Sequence, residues 1–242
     1  MAYETAATIF PGERVASCAL RMATVRKFAL NLDRRDWPNE AGYSFYCQSR
    51  ARCHFVERSI RTLKLPCVTS KLVVEGVKAD VSLFTVNSSN VGCVRVPFDD
   101  STFASITEDS AKHEFFIRFA RRGLDLVPDL DPRTIAAIHA ACDEFRTNGY
   151  ANRWQHKRRS FRPQGFSASL DCELSLAAFR LFLTTTPTNG ACSRRLPLTC
   201  DPDEIAFHYR FDDLVIEEAS LVVTSKGSQP LSRISLHDLA NS

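Results

Sequence analysis

The sequence predicts an α+β protein in which two central helices, at about residues 107–122 and 132–147, pack on one face of mainly antiparallel sheet. Three observations support this fold class. Apolar and polar residues alternate along several short runs, two longer segments show helical spacing, and the 242 residues have ordinary globular proportions, 44% hydrophobic and 24% charged. We expect residues 1–242 to form a single domain, with a pseudo-division near 124–131 as the one place where the chain could be split.

The clearest strand prediction is residues 166–174, because five apolar residues from Phe166 to Leu174 alternate there with four polar ones. Residues 179–185 repeat this pattern less cleanly, and the short connection 175–178 predicts a hairpin. The alternation is typical of antiparallel sheet. Further strands are predicted at 27–32, 72–75, 81–86, 91–98, 205–211 and 221–223.

The second central helix has clear start and stop signals. Asp131 is a good N-cap, Pro132 suits the first helical position, and Asn148-Gly149 ends the pattern. The first central helix carries three arginines near its C-terminal end and is predicted to end at Gly123. Residues 53–65 also favour a helix, although their β-branched content leaves a strand open.

Composition limits the function classes. The 31 basic and 28 acidic residues give a net charge of +3, which is too small to attract polyanions at long range, so any nucleic-acid contact must be local. Nine cysteines are dispersed singly, which indicates reduced thiols in a cytoplasmic protein; four disulfides plus one free thiol is the alternative. The N-terminus lacks a signal-peptide pattern and no apolar run reaches the roughly 18 residues of a membrane span, so we expect no membrane contact.

Catalytic motifs are missing from the sequence. Neither glycine-rich nucleotide-binding loop nor the G-x-S-x-G pattern occurs, and His113-Glu114 begins a zinc-protease helix motif but has Ile117 where the second histidine belongs. We therefore predict no catalytic residue, no metal and no cofactor. An enzyme of unrecognised type remains the alternative, built on residues that converge only in three dimensions: His113, His139, Glu114 or Asp99.

One basic and aromatic segment suggests a partner contact. It lies between a predicted helix end and a predicted strand. Its cations could meet phosphates or an acidic partner while its aromatic residues stack; alternatively, the aromatic residues enter the core and the cations form a solvated connector that pairs with acidic residues elsewhere in the chain. The candidate contact residues are Arg153, Trp154, Lys157, Arg158, Arg159, Phe161 and Arg162.

An acidic stretch near the C-terminus is the matching candidate for a basic partner, with a solvated sheet edge as the alternative. Its candidate residues are Asp212, Asp213, Glu217 and Glu218.

The stretch from Val94 to Phe103, followed by His113 to Leu124, resembles strand–loop–helix units of small uncharacterised bacterial proteins, some of which look like immunity partners of secreted toxins. The resemblance implies no site residues. It favours a non-catalytic protein that binds and inhibits a protein partner, such as a toxin. A nucleic-acid-binding module that uses residues 153–162 is the alternative.

Overall fold

The computed structural model describes residues 23–79, 82–188 and 191–240. The strands are β1 (Ala23–Thr24), β2 (Lys27–Leu32), β3 (Pro66–Cys67), β4 (Lys71–Val77), β5 (Leu83–Val86), β6 (Val91–Pro97), β7 (Asn152–Phe161), β8 (Phe166–Leu174), β9 (Phe179–Pro187), β10 (Ser193–Cys200), β11 (Asp213–Glu217), β12 (Ser220–Thr224) and β13 (Pro230–Ser235). The helices are α1 (Asn39–Ile60), α2 (Asp100–Ala104), α3 (Asp109–Leu124), α4 (Pro132–Thr147), α5 (Glu204–Phe207) and α6 (Leu236–Ala240), and a 3₁₀ turn covers Arg162–Gln164.

The α+β fold class is confirmed, but the first large sheet is mostly parallel. Its strand order is β2-β4-β6-β5, in which β2, β4 and β6 run parallel and β5 pairs antiparallel with β6. The long helix α1 connects β2 to β4, as a parallel connection requires. Leu72, Val73 and Val74 are all buried in the central strand β4, whereas β6 alternates between buried and half-buried residues.

Both predicted central helices are present, but they pack differently. Helix α3 lies on β4 and β6, whereas α4 packs mainly against α1. Gly123 does not end α3 as expected, because the helix continues to Leu124. A Cβ at Gly123 would lie 2.4 Å from Cγ2 of Val74, so this glycine allows the close approach of α3 to β4.

The C-terminal half contains two antiparallel sheets, of order β10-β9-β8-β7 and β11-β12-β13, and β1 pairs with β3 in a separate short ladder. The predicted hairpin between β8 and β9 is confirmed, since the Ser175 amide donates to the Ala178 carbonyl at 2.9 Å. The predicted strand at 81–86 is present as β5 (Leu83–Val86). Residue 81, the first residue of the predicted strand, lies outside the described ranges.

Two sequence interpretations were wrong. The alternative of a connector at residues 153–162 is wrong, because residues 153–161 form most of strand β7 and Arg162 begins the 3₁₀ turn. A register shift between Gln155 and Lys157 interrupts the period-two pattern of this strand. Residues 205–211 are not a strand. The Asp203 carboxylate caps a short helix there by accepting from the Ile205 amide at 2.9 Å. The two buried apolar residues, Phe207 and Phe211, are four positions apart, instead of the two positions expected of a strand.

The eight described cysteines are all free thiols, and five of them are buried, as expected for small core residues; Cys18 lies outside the described ranges. None of the helices in the described part of the chain is long and apolar enough to cross a membrane.

Candidate functional site

The basic segment on β7 is largely neutralised within the chain. Arg153 pairs with Glu173 at 2.8 Å. Lys157 lies 3.6 Å from Asp213, and Arg159 also pairs with Asp213. Three of these cations, Arg153, Lys157 and Arg159, therefore pair with acidic residues elsewhere in the chain, as the alternative interpretation of the segment expects.

The two aromatic residues of this segment are half-buried and pack against the core. The Trp154 ring lies 4.5 Å, centroid to centroid, from the His54 ring and 6.1 Å from Phe179. Phe161 packs on Phe166 at 5.1 Å.

Arg158 and Arg162 are the two remaining cations of residues 153–162, which we call the β7 segment, and both are exposed. Neither forms an ion pair with a described residue, and both border an open depression of about 770 Å³ that is otherwise lined by hydroxyl and apolar side chains. Two flexible cations at the rim of an open depression form a weak site.

The acidic candidates are also partly used within the chain. Asp213 binds Lys157 and Arg159, and Glu217 pairs with Arg233 at 2.8 Å. Asp212 and Glu218 are exposed. The structure thus leaves two of the four acidic candidates for a basic partner.

A deeper site lies elsewhere, between α1, the first residues of β2 and β4, and α5. It is a cleft of about 870 Å³, which we call the basic cleft. Such a volume is typical of ligand sites. Its charged lining consists of seven basic and two acidic side chains: Arg26, Lys27, Arg50, Arg58, Arg61, Lys64 and Lys71, with Glu57 and Glu204. Its other principal side chains are Tyr46, His54, Ile205, His208 and Tyr209.

A partly buried ion network lies in the basic cleft. Arg50 donates to both oxygens of Glu57, at 3.2 and 3.4 Å, and also binds Glu204. Lys27 donates to Glu57 at 3.3 Å and to Glu204 at 3.0 Å. The Phe28 amide adds a bond of 3.0 Å to Glu57. Two cations and two carboxylates therefore neutralise one another and tie α5 to α1 and β2.

The network holds Arg50 and Glu204 in their charged forms. Burial by itself would raise the pKa of Glu204, but the charges of Arg50 and Lys27 outweigh it and lower that pKa to about 2. Burial would likewise lower the pKa of Arg50, yet the carboxylates of Glu57 and Glu204 raise it above its ordinary value. Arg50 and Glu204 are thus both ionised near neutral pH.

The other five cations of the basic cleft have no carboxylate partner. Arg26, Arg58, Arg61, Lys64 and Lys71 form no ion pair within residues 23–79, 82–188 and 191–240. Since both acidic lining residues already bind Arg50 and Lys27, an uncompensated positive charge remains along one wall. An anionic ligand would relieve the repulsion among these side chains.

His54 lies in the cleft as a neutral, oriented ring. Burial lowers its pKa to about 3, so the imidazole carries no charge at neutral pH. The Asn152 amide nitrogen lies 3.3 Å from Nδ1 of His54 and donates to the Ala51 carbonyl at 2.7 Å. Since Nδ1 accepts from Asn152, we assign the ring proton to Nε2.

The same asparagine holds Arg58. Its Oδ1 accepts from Nη2 of Arg58 at 2.8 Å, and the guanidinium lies 5.1 Å from the centroid of the Trp154 ring. The Nε atoms of Arg50 and Arg58 are buried and find no acceptor among the described residues.

Sequence reasoning missed the basic cleft, although part of its signal was readable. Residues 50, 54, 57, 58 and 61 recur at helical spacing, so they form one polar stripe on α1. The α5 wall could not be read in the same way, because Glu204 meets Arg50 across 154 positions of the chain.

The residues named for an unrecognised enzyme do not line the basic cleft. His113 stacks on Tyr150 at 5.0 Å, Glu114 binds Arg146 at 2.6 Å, and Asp99 caps α2 by accepting from the Thr102 amide at 3.1 Å. Nδ1 of His113 and Nε2 of His139 are buried and have no hydrogen-bond partner among the described residues.

No group of three or more histidine, cysteine, aspartate or glutamate side chains placed to hold a metal ion occurs in the part of the chain that the structure describes. Comparison with protein-family models, curated proteins and solved structures finds no match to this chain.

Proposed function

We propose that the protein binds nucleic acid through the basic cleft and does so without catalysis. One observation carries the proposal: five cationic side chains line one cleft whose two carboxylates are already bound by Arg50 and Lys27. A nucleic-acid strand offers regularly spaced phosphates, which match several cations along one wall. This local excess of positive charge operates despite a net charge of only +3 for the whole chain.

The protonation states in the cleft support binding over catalysis. A general acid or base works best when its pKa lies near the working pH. The pKa of Glu204 is about 2 and that of His54 is about 3, so neither side chain can donate a proton near neutral pH. Both groups instead serve as fixed hydrogen-bonding and charge partners.

Charge reversal tests the proposal. Arg61 and Lys64 are exposed, so Arg61→Glu with Lys64→Glu should leave the fold intact. This variant should weaken binding of a short labelled oligonucleotide by roughly ten-fold or more in fluorescence anisotropy, because two phosphate contacts become repulsive. The matched control is Arg158→Glu with Arg162→Glu on the β7 segment, which changes the net charge equally and should alter affinity less than about two-fold.

Two outcomes would contradict the assignment. If the wild type binds no oligonucleotide at low salt, the proposed function is wrong. If the β7 variant loses binding while the cleft variant retains it, nucleic acid binds at the segment indicated by sequence composition and not in the basic cleft.

Our second candidate is the non-catalytic protein-binding function, of the immunity type that residues 94–124 suggest. Exposed apolar side chains near α5 favour it, since Ile205 is 72% and Tyr43 49% exposed, and such groups can mark protein interfaces. The Tyr43 hydroxyl donates at 3.1 Å to Asp203, which caps α5.

Co-purification from the native host, followed by mass spectrometry, tests the second candidate. We expect a stoichiometric protein partner that is lost from an Ile205→Asp variant. Recovery of no stoichiometric protein would count against this candidate and leave the first untouched.

A further inference from the structure

We infer that the ligand of the basic cleft is a single-stranded nucleic acid and that Tyr209 stacks on one of its bases. This inference rests on the proposed function and specifies the ligand. Tyr209 lines the cleft and is 63% exposed, on the α5 side of the site. The unpaired cations lie on other elements of the cleft: Arg58 in the last turn of α1, Arg61 and Lys64 just after it, Arg26 just before β2, and Lys71 at the start of β4.

The residues around Tyr209 fix its backbone, while its side chain stays exposed to solvent. Phe207 and Phe211 on either side of it are buried and stack on Phe179, with ring centroids at 3.8 and 5.4 Å. The Tyr209 carbonyl accepts from the Lys226 amide at 3.2 Å, which fixes the backbone of the turn. The fold therefore anchors both flanking rings and presents the one between them to solvent.

The surroundings of the Tyr209 ring suit a base. The Lys226 ammonium nitrogen lies over one face of the ring, 5.2 Å from its centroid, so a base would stack on the other face. Aromatic rings beside cations are the usual components of sites for single strands, in which bases stack on the ring while the phosphates follow the positive charge.

The arrangement discriminates against duplexes. In a double helix the bases are paired and stacked on one another, so an aromatic side chain reaches a base face only after the stack is opened. A single strand exposes its base faces without that cost. A strand that lies in the cleft can place its phosphates against the α1 wall and one base against Tyr209.

The test compares three labelled ligands, namely a single-stranded oligonucleotide, the duplex of the same sequence, and heparin as a polyanion without bases. Wild-type protein should prefer the single strand to the duplex by about ten-fold. Tyr209→Ala should weaken single-strand binding by roughly five- to 100-fold, the range measured for loss of one base stack, and leave heparin binding unchanged. Tyr209→Phe is the matched control because it keeps the ring, and its affinity should stay within about two-fold of wild type.

The failures are distinguishable. Single-strand binding that Tyr209→Ala leaves intact, or equal affinity for duplex and single strand, overturns this inference but leaves nucleic-acid binding at the cleft in place. Absence of binding to all three polyanions overturns the proposed function as well. An acidic peptide that displaces the oligonucleotide and binds Tyr209→Ala as tightly as wild type would show that the cleft recognises charge alone.

Discussion

The β7 segment and the basic cleft are both rich in cations, but they differ in how those cations are neutralised. On β7, three of the five permanent cations bind Glu173 or Asp213. In the cleft, the two carboxylates engage Arg50 and Lys27, and five further cations have no ion-pair partner among the residues that the structure describes. The density of charge along a sequence therefore says little about how much unpaired charge the folded protein presents.

The two regions also differ in burial. The side chains of Arg50 and Glu57 are 3% and 7% exposed, whereas Arg159 on β7 is 46% exposed. A buried ion pair leaves an expensive isolated charge when one partner is removed, but an exposed pair is screened by water. Mutations at matched acidic residues should therefore separate the two regions clearly.

The largest expected effect is on Glu57. Glu57→Ala leaves Arg50 buried with one carboxylate fewer and removes the acceptor of the Phe28 amide, so we expect a loss of about 3–5 kcal/mol in the free energy of unfolding. Urea denaturation followed by circular dichroism measures it. A loss below about 1 kcal/mol would mean that the network contributes no more than an exposed pair.

A smaller effect should appear in the pH dependence of stability through His54. Its folded pKa of about 3 lies below the ordinary value of 6.5, so between these values the unfolded chain binds one more proton. The stability contributed by neutral His54 is complete above about pH 6.5 and is lost as the pH falls. Glu204, with a pKa of about 2, keeps its charge over this range.

The measurement is urea denaturation at pH 7 and at pH 5 for wild type and His54→Gln. The loss of stability on acidification should be smaller in the variant by about 1–2 kcal/mol. His113, whose pKa burial lowers to about 4, contributes in the same direction to both proteins and cancels in the difference. Equal losses in the two proteins would show that His54 titrates normally in the fold.

The smallest effect is expected on β7. Asp213→Asn weakens the ion pairs with Lys157 and Arg159, and because those cations are largely exposed the cost should be at most about 1 kcal/mol and should shrink in high salt. Thermal denaturation at low and high salt gives both values. A loss of stability above about 2 kcal/mol that does not change with salt would mean that the Asp213 ion pairs behave like the buried Glu57 pair, and the contrast between the two regions would be lost.

The sequence predicted best those helices and strands whose signals come from neighbouring residues in the chain. Strand β8 and helix α4 have the predicted bounds, because strict alternation and a capping aspartate depend on nearby residues alone. Helix α1 was recognised only near its C-terminal end, because it buries polar residues such as Ser49, Arg50 and Arg52, which obscures an apolar stripe. Strand β7 was missed because its bulge breaks the alternation.

The candidate site was harder to predict than the fold. The β7 cations stood out because they are contiguous in sequence, yet their neutralisation by Asp213 depends on a contact across 54 positions. The basic cleft has no contiguous signal, since its walls come from α1, β2, β4 and α5. Only the folded chain shows which charges remain without a partner.

The salt dependence of oligonucleotide binding tests the central claim most directly. If all five unpaired cations of the basic cleft contact phosphates, the logarithm of the association constant should fall with the logarithm of salt concentration with a slope of about −3.5 for a single strand. The slope should weaken to about −2 in Arg61→Ala with Lys64→Ala and stay unchanged in Arg158→Ala with Arg162→Ala. A slope near zero, or one that changes only in the β7 variant, would contradict the account.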